Sequence, residues 1–530
     1  MASYPRQVDT MEQRQQQRAD ETRQPQQPKE SFEVANVHHL LAAINKLESR
    51  DKLQAPADRS TKHTSTTFDP ANSPTRQSWR VASILDSLST LLVSKERHEV
   101  IAIGLRVDGK NKSVEVILAS NGTIQKPTFM HIKWMWHSLT KISLHYHELY
   151  PKQTKDDTPT HKIKDEELGH QLHEFTRTCI EFSFTRVKKR INGKFPQFKA
   201  FIVQEFESKA GHPFLQVQEP IVMLEALFTR EVGARCGMPA SQDKHNWKLL
   251  LALLRESQRC IKDFLGGPGF TRSELSRVSR FAKWETYLLK IAAIMNDVDV
   301  LIKCANSPQC KALFEMAFDV NILPETSSKA DKVPITAEDW EQTLERALFQ
   351  YNILGKQQVE FEPKVLNIPV IKRDTAYMAR EVISRNLVVH CEVKVLLHIA
   401  RTEADDDGNR PANAYSYIGV SKLSCRGCHA FLQAFNKVHG SKFITKGTHG
   451  KSYWPWQFPQ NFPRSEQTAI YTFNILVHRW ANTYNGYVAK TVPLGPDSTA
   501  GSQTSQTMIW DQNSKAKDFL RNEKNRFFRR

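Results

Sequence analysis

Two short motifs constrain this chain more than any bulk property: His390-x-Glu392 near the start of one helix-spaced apolar run, and Cys425-x-x-Cys428 at the start of another, 35 residues on. Leu387 to Ala400 has helical period, and the polar stretch ADDDGNRPAN interrupts it. Tyr415 to Val420 then reads as a strand. Phe431, Leu432, Phe435 and Val438 form the apolar stripe of a second helix that Gly440 stops. Phe443 to Thr445 reads as a further strand. The order helix, strand, helix, strand predicts an α/β unit.

The residue types at these positions suit a metal. A catalytic zinc takes three protein ligands and keeps one position open, and a neutral imidazole with two thiolates meets that need. His390, Cys425 and Cys428 are the candidates. The positive end of a helix stabilises thiolates that lie at its N-terminus. Residues two apart on an ideal helix point about 200° apart, so His390 and Glu392 serve one metal only if it lies off the helix end. Glu392 then need not be a ligand. It would take a proton from a metal-activated water and pass protons to the ring nitrogen and departing amine of a cytosine or adenine. Cys391 points elsewhere on the helix and is not counted as a ligand.

VVHCEVKVLLH together with YIGVSKLSCRGCHAFLQAFN resembles the OTT-type deaminase-like family, with many fungal members, of the cytidine deaminase superfamily. The resemblance spans roughly residues 387 to 459. It implies Zn2+ as cofactor, His390, Cys425 and Cys428 as its ligands and Glu392 as proton shuttle. Ser424 stands where the superfamily usually has a proline. The superfamily fold also places a helix and a β-hairpin before the H-x-E helix. Ile84, Leu85, Leu88, Leu91 and Leu92 fall at helical spacing, and Val100 to Leu105 and Val114 to Leu118 form a hairpin around Asp108-Gly109. That segment resembles the missing pair, although about 270 residues separate Asn121 from His390.

The expected fold is therefore α/β, a cytidine deaminase-like α/β/α core with a large, predominantly α-helical insertion and disordered termini. The expected divisions are a Gln-rich disordered region at 1–80 and a helix and hairpin at 81–125. A helical insertion at 126–380, the zinc-site region at 381–493 and a basic tail at 494–530 follow. Within 1–80, a short amphipathic stretch near Val37 to Leu47 has the pattern of a helix. In the middle, helical periods run through Trp247 to Leu265 and Phe281 to Ile302.

Several residues are candidates for touching a substrate. Asn121 is similar to the asparagine that often ends the second strand of these folds and touches the substrate sugar; an ordinary Asn-Gly turn is the alternative. His449, Tyr453, Trp454 and Trp456 lie in a Gly- and aromatic-rich loop whose rings either stack on a base or anchor the loop to the core.

A net charge of +17 favours polyanionic partners, so a nucleotide or nucleic acid substrate is expected. The cluster Arg186, Lys188, Lys189 and Arg190 is either a phosphate contact or a solvated helix face. No run of about 18 apolar residues suggests a membrane span, and the N-terminus lacks an apolar signal core. An intracellular protein, cytoplasmic or nuclear, is the expectation, with Cys179, Cys236, Cys260 and Cys304 as buried free thiols. The function these features imply is zinc-dependent hydrolytic deamination of a nucleobase. The alternative is a catalytically silent deaminase fold or structural-zinc scaffold, with His429, Cys391 or His449 as fourth ligand.

Overall fold

The fold is described from a computed structural model over residues 35–50, 76–95, 99–151, 165–206, 217–225, 244–266, 281–325, 342–343, 346–347, 387–404, 413–453 and 456–491. The chain divides into two compact units, Met1–Trp480 and Ala481–Arg530. In the second, residues 481–491 are helical. Trp454, Cys236, the polar loop beyond Ala404 up to 412 and the basic tail lie outside the described residues, as does most of the Gln-rich N-terminal region.

In chain order the first elements are α1 (Ala35–Arg50), α2 (Arg76–Leu91), β1 (Ile101–Asp108) and β2 (Ser113–Ser120). A helical series follows: α3 (Lys126–Leu149), α4 (Glu166–Phe182), α5 (Phe184–Asn192), α6 (Phe195–Phe206), α7 (Lys244–Gly266), α8 (Phe281–Ala305) and the short α9 (Lys311–Phe314). Then come β3 (Ala317–Ile322), α10 (Cys391–Ala404), β4 (Asn413–Ala414), β5 (Tyr417–Val420), α11 (Arg426–His439), β6 (Ile444–Thr445) and α12 (Ser465–Thr491).

The hairpin forms because Asp108 closes its turn. Its carboxylate accepts from the Lys110 and Asn111 backbone N–H groups at 2.9 and 3.0 Å, and Lys112 takes the left-handed φ of 47° that lets the chain reverse. The strands align in the order β3-β2-β1-β5-β6, with β4 also on β1. Strand β1 is antiparallel to β2, β4 and β5, whereas β2 with β3 and β5 with β6 are parallel pairs. The result is a mixed sheet.

Helices cover both faces. A Cβ on Gly104 would lie 2.8 Å from Val395 Cγ1, so that face receives α10; one on Gly419 would lie 2.4 Å from the Leu85 backbone, so that face receives α2. Ile103 is the cross-strand partner of Gly419, and adjacent residues point to opposite faces. The two helices therefore lie on opposite sides. Burial on both faces explains why Ile101 to Leu105 reads as a continuous apolar run. Behind α2 packs α8, and a single apolar cluster runs from the α2 face of the hairpin through α3 to α8.

The middle of the chain, expected to be predominantly α-helical, also contributes one strand, β3. Six residues pair in parallel with β2, Ser113 with Ala317 through Leu118 with Ile322. Only Val320 of β3 is fully buried, with Phe318 stacked on Trp136 at 4.5 Å. Phe318, Val320 and Ile322 alternate with Asp319 and Asn321, a period-2 pattern that was legible in the sequence but lies within a long run of helical segments. Among the described residues no helix is long and apolar enough to cross a membrane.

Candidate metal centre

The parallel strands end together. Ser120 of β2, Val420 of β5 and Thr445 of β6 lie at one edge of the sheet, where α10 and α11 begin. Ligands of open α/β sheets gather beyond such carboxyl ends. Here the two motifs converge.

His390 precedes α10, and its carbonyl accepts from Val393 and Lys394 N–H at 3.1 Å each. The imidazole is thus off the helix end, which resolves the conflict of direction with Glu392 in its first turn. Cys425 is the N-cap of α11, extended at φ −74° and ψ 169°, and its Sγ accepts from Cys428 N–H at 3.4 Å. His390 Nδ1 stands 3.5 Å from Cys425 Sγ and 3.3 Å from Cys428 Sγ, and the two sulfurs are 3.5 Å apart. All three side chains are buried, and the group is compatible with zinc. His429, Cys391 and His449 are not in the group, so among the described residues it has three donors.

Charge is unevenly shared in this cluster. Burial pushes the Cys425 thiol up, but its hydrogen bond with Cys428, the His390 charge and the N–H of Cys428 hold it well below the usual value. Cys428 is pushed well above that value, first by burial and then by Cys425 and Glu392. His390 is raised because the Cys425 charge and hydrogen bond outweigh its burial. A bound divalent cation would displace the protons of these ligands.

Glu392 lies beside the three donors. It is buried, its Oε2 accepts from Cys391 Sγ at 3.4 Å, and its carboxylate also bonds the Cys428 thiol. Asn121 Oδ1 accepts from Cys391 N–H at 2.8 Å, so it caps α10 across a separation of 270 residues. A plain Asn-Gly turn does not describe that role.

The loop after β6 forms the site's other wall. Ser424 N–H donates to Gly447, His449 N–H to Ser424 and Arg426 N–H to Lys451. The Arg426 guanidinium donates twice to Gly450 O, at 3.0 and 2.6 Å. Tyr453 is 45% exposed, with its ring 5.4 Å from that of His390, which leaves a face open at the centre. His449 is half-buried, accepts from Lys451 N–H at Nδ1, and has its pKa lowered chiefly by burial.

Trp456 differs from the expectation of a substrate-stacking ring. It is 0% exposed, so it offers no face to a base; its indole N–H instead donates to Cys428 Sγ at 3.2 Å. The ring also packs on Gly427, where a Cβ would come within 2.9 Å of Trp456 Cδ2 and 3.0 Å of Leu41 Cδ2. Glycine between the cysteines was the available signal for this close approach.

Further supports had no signal in sequence. Lys394 Nζ donates to Ser120 O at 3.1 Å. From α1, Asn45 donates to Ser452 O at 2.8 Å, and His38 Nε2 accepts from Phe458 N–H at 2.7 Å. The stretch near Val37 to Leu47 is thus helical and holds the site loop.

A buried His–Cys–Cys group with a carboxylate at its side defines a deaminase-like, zinc-compatible site. Residues 389–460 match the family model of the OTT_1508-like deaminases, so the segment carrying this site is OTT_1508-like. No curated protein and no solved structure matches the chain.

Proposed function

We propose that the chain is a zinc-dependent hydrolytic deaminase acting on a nucleobase within a nucleotide or nucleic acid. The observation that carries this reading is the three-donor group His390, Cys425 and Cys428 with Glu392 at its edge, at the joined N-termini of α10 and α11. A structural zinc site would need a fourth protein ligand.

His390 and the two thiolates would hold zinc, which supplies a water of lowered pKa, about 7 in catalytic sites. Glu392, beside the three donors, would take a proton from the attacking water and return protons to the ring nitrogen and the departing amine. Cys391 fixes the carboxylate from one side through its S–H bond to Oε2. The exposed Tyr453 ring, 5.4 Å from that of His390, would meet the substrate, with His449 and Asn121 as further substrate contacts. Trp456 steadies Cys428 from behind.

On this reading the hairpin β1–β2 belongs to a cytidine deaminase-like core, and the segment from α3 to β3 is inserted into it. The sheet supports the reading, since β1 pairs with both β2 and β5. An intracellular location, cytoplasmic or nuclear, goes with reduced thiols at the site.

Metal analysis paired with ammonia release over nucleosides, nucleotides and single strands tests the proposal. Glu392→Ala should keep zinc and fold but abolish release, a loss of about 10²- to 10⁴-fold or more. Equal, nonzero turnover in both proteins would overturn the role of Glu392. Zinc retention and strand binding with no release in either protein would favour the silent scaffold.

A further inference from the structure

One side of α10 borders a cavity of about 500 Å³, the size of a small-molecule site, and none of His390, Glu392, Cys425 and Cys428 lines it. Lys394, Leu397, His398 and Arg401 supply its α10 wall; spaced i, i+3, i+4 and i+7, they form one stripe of the helix. That stripe lies beside the one seated on the sheet, where Val395 and Ile399 meet Gly104. The remaining walls come from His38 of α1, from Leu323 and Pro324 after β3, and from Gln457, Gln460 and Asn461 before α12. Backbone bonds hold these walls in place: Leu323 N–H donates to Leu118 O and Gln457 N–H to Val388 O, at 2.9 Å each.

The polar part of the lining consists of donors. Lys394 is 6% exposed, and its ammonium has one hydrogen bond, to Ser120 O at 3.1 Å, for three N–H donors. A solvated helix face would carry its cations in water, and Lys394 is not in water. A buried ammonium with unmet donors gains from a further acceptor. Arg401, Gln460 and Asn461 are exposed, and Arg401 makes no ion pair with a described residue. No carboxylate lines the cavity. Glu325, within electrostatic reach of Lys394, accepts from Thr123 Oγ1, and Glu115, within reach of His398, pairs with Arg106 at 2.7 Å. His38 adds no charge, since burial and then His39 push its pKa down to about 3.

These groups define a ligand by its chemistry. An ammonium, a guanidinium and three side-chain amides, with no carboxylate among them, favour an anion rich in acceptors. Buried Leu387, Val389 and Pro459 and half-buried Leu397 favour an apolar body. Lys394 and Arg401 are two helical turns apart, about 10 Å along the axis, so a molecule that meets both is elongated.

We propose that this cavity is a second binding site, distinct from the metal centre, for a small elongated organic anion: an apolar body with a carboxylate or phosphate at the Lys394 end and a polar or charged group at the Arg401 end. The site adjoins the H-x-E segment, since Val389 lines it and Lys394 N–H donates to His390 O at 3.1 Å. It does not depend on the deaminase reading of the metal centre.

The test uses the full zinc-loaded chain and measures binding of benzamide, benzoate, phenyl phosphate and terephthalate by calorimetry or ligand-observed NMR. At least one of the two singly headed anions should bind about ten-fold more tightly than neutral benzamide, the scale of a charged hydrogen bond, and terephthalate more tightly than benzoate. Lys394→Met should abolish the advantage of the anions, and Arg401→Gln the further gain of terephthalate. Should Lys394→Met fail to fold, Arg401→Glu at its exposed position repels terephthalate, and Leu397→Trp fills the cavity and excludes all four probes. Phenyl phosphate above benzoate identifies a phosphate ligand, and the reverse order a carboxylate one. Anions that bind no better than benzamide, or affinities unmoved by Arg401→Glu and Leu397→Trp, would overturn the site. Anion binding that is lost in His390→Ala yet intact in Leu397→Trp would put the anion on the metal and overturn it equally. Probe binding that follows these variants supports the site whether or not any base releases ammonia, so its failure and that of the deaminase reading are told apart.

Discussion

Among the described residues there are two pairs of neighbouring buried cysteines, and only one of them belongs to a metal-compatible group. Cys304 and Cys310 flank the end of α8, with Ser307 N–H bonded to Cys304 O and Cys310 N–H to Ser307 O. In both pairs one thiol is lowered and its partner raised. Cys310 is lowered by its hydrogen bond with Cys304, and Arg80 adds to the effect against burial. Cys304 is raised by that same bond and then by burial. A low thiol pKa is therefore not what distinguishes the sites. Helix position does not separate them either, since the lowered thiol of each pair is an N-cap, Cys425 of α11 and Cys310 of the short α9. The decisive difference is His390, a third donor that the sheet brings within 3.5 Å of both sulfurs.

The strongest way to break this contrast is to remove the third donor. His390→Ala, or Cys425→Ser, should take bound zinc from about one per chain to nearly none by mass spectrometry of the purified protein. Cys304→Ser/Cys310→Ser should leave it unchanged. Equal zinc loss in both sets of variants would dissolve the distinction.

Acid should act on the fold by a separate route. Burial first, and then His39, pushes His38 down to about 3; burial alone does the same for His131 in α3. Above pH 6.5 both are neutral whether the chain is folded or not, so they add no pH dependence. Below it the unfolded chain takes up protons that the folded one refuses. Stability should then fall by about 1.4 kcal/mol per pH unit for each histidine until pH approaches the folded value of about 3. Chemical denaturation of the metal-free protein between pH 7 and 4 measures the slope. His38→Gln should lower that slope by one proton, and an unchanged slope would show that His38 is not held neutral.

A smaller effect is expected behind Cys428. Trp456→Phe keeps the ring against Gly427 but deletes the indole N–H that donates to the sulfur. Loss of such a supporting bond costs about 10- to 100-fold in metal affinity. Competition with a zinc chelator reads it, and wild-type affinity in the variant would reduce Trp456 to a packing residue.

What could be read in sequence was local. The H-x-E and C-x-x-C spacings, the hairpin around Asp108 and the stop at Gly440, which does take a left-handed φ of 65°, each depend on neighbours in the chain. The four leucines and isoleucines of α2, with Leu92 just past its end, were equally legible, because helical period alone exposes them, and all five are fully buried. What stayed hidden depends on tertiary approach. No pattern links Trp456 to a sulfur 28 residues earlier, or brings Asn45 of α1 to Ser452. Arg186 lies in a basic run whose composition is that of any solvated face, and only the seat of α5 on α2 buries it against the Thr90 carbonyl.

Asn121 is where these two kinds of information meet. The Asn-Gly pair marks the end of β2, yet the amide oxygen serves the first N–H of a helix 270 residues away. Asn121→Ala should cost about 1 kcal/mol, the usual worth of a helix N-cap. Asn121→Asp keeps an acceptor at the same place and adds a negative charge at a helix N-terminus, which favours it. If the cap is the whole role, Asn121→Asp will match the wild type in both stability and ammonia release. If the amide also donates to substrate, it will match in stability alone, because a carboxylate has no N–H to offer. The pair of variants thus separates a residue that only joins the hairpin to the motif helix from one that also reaches into the site.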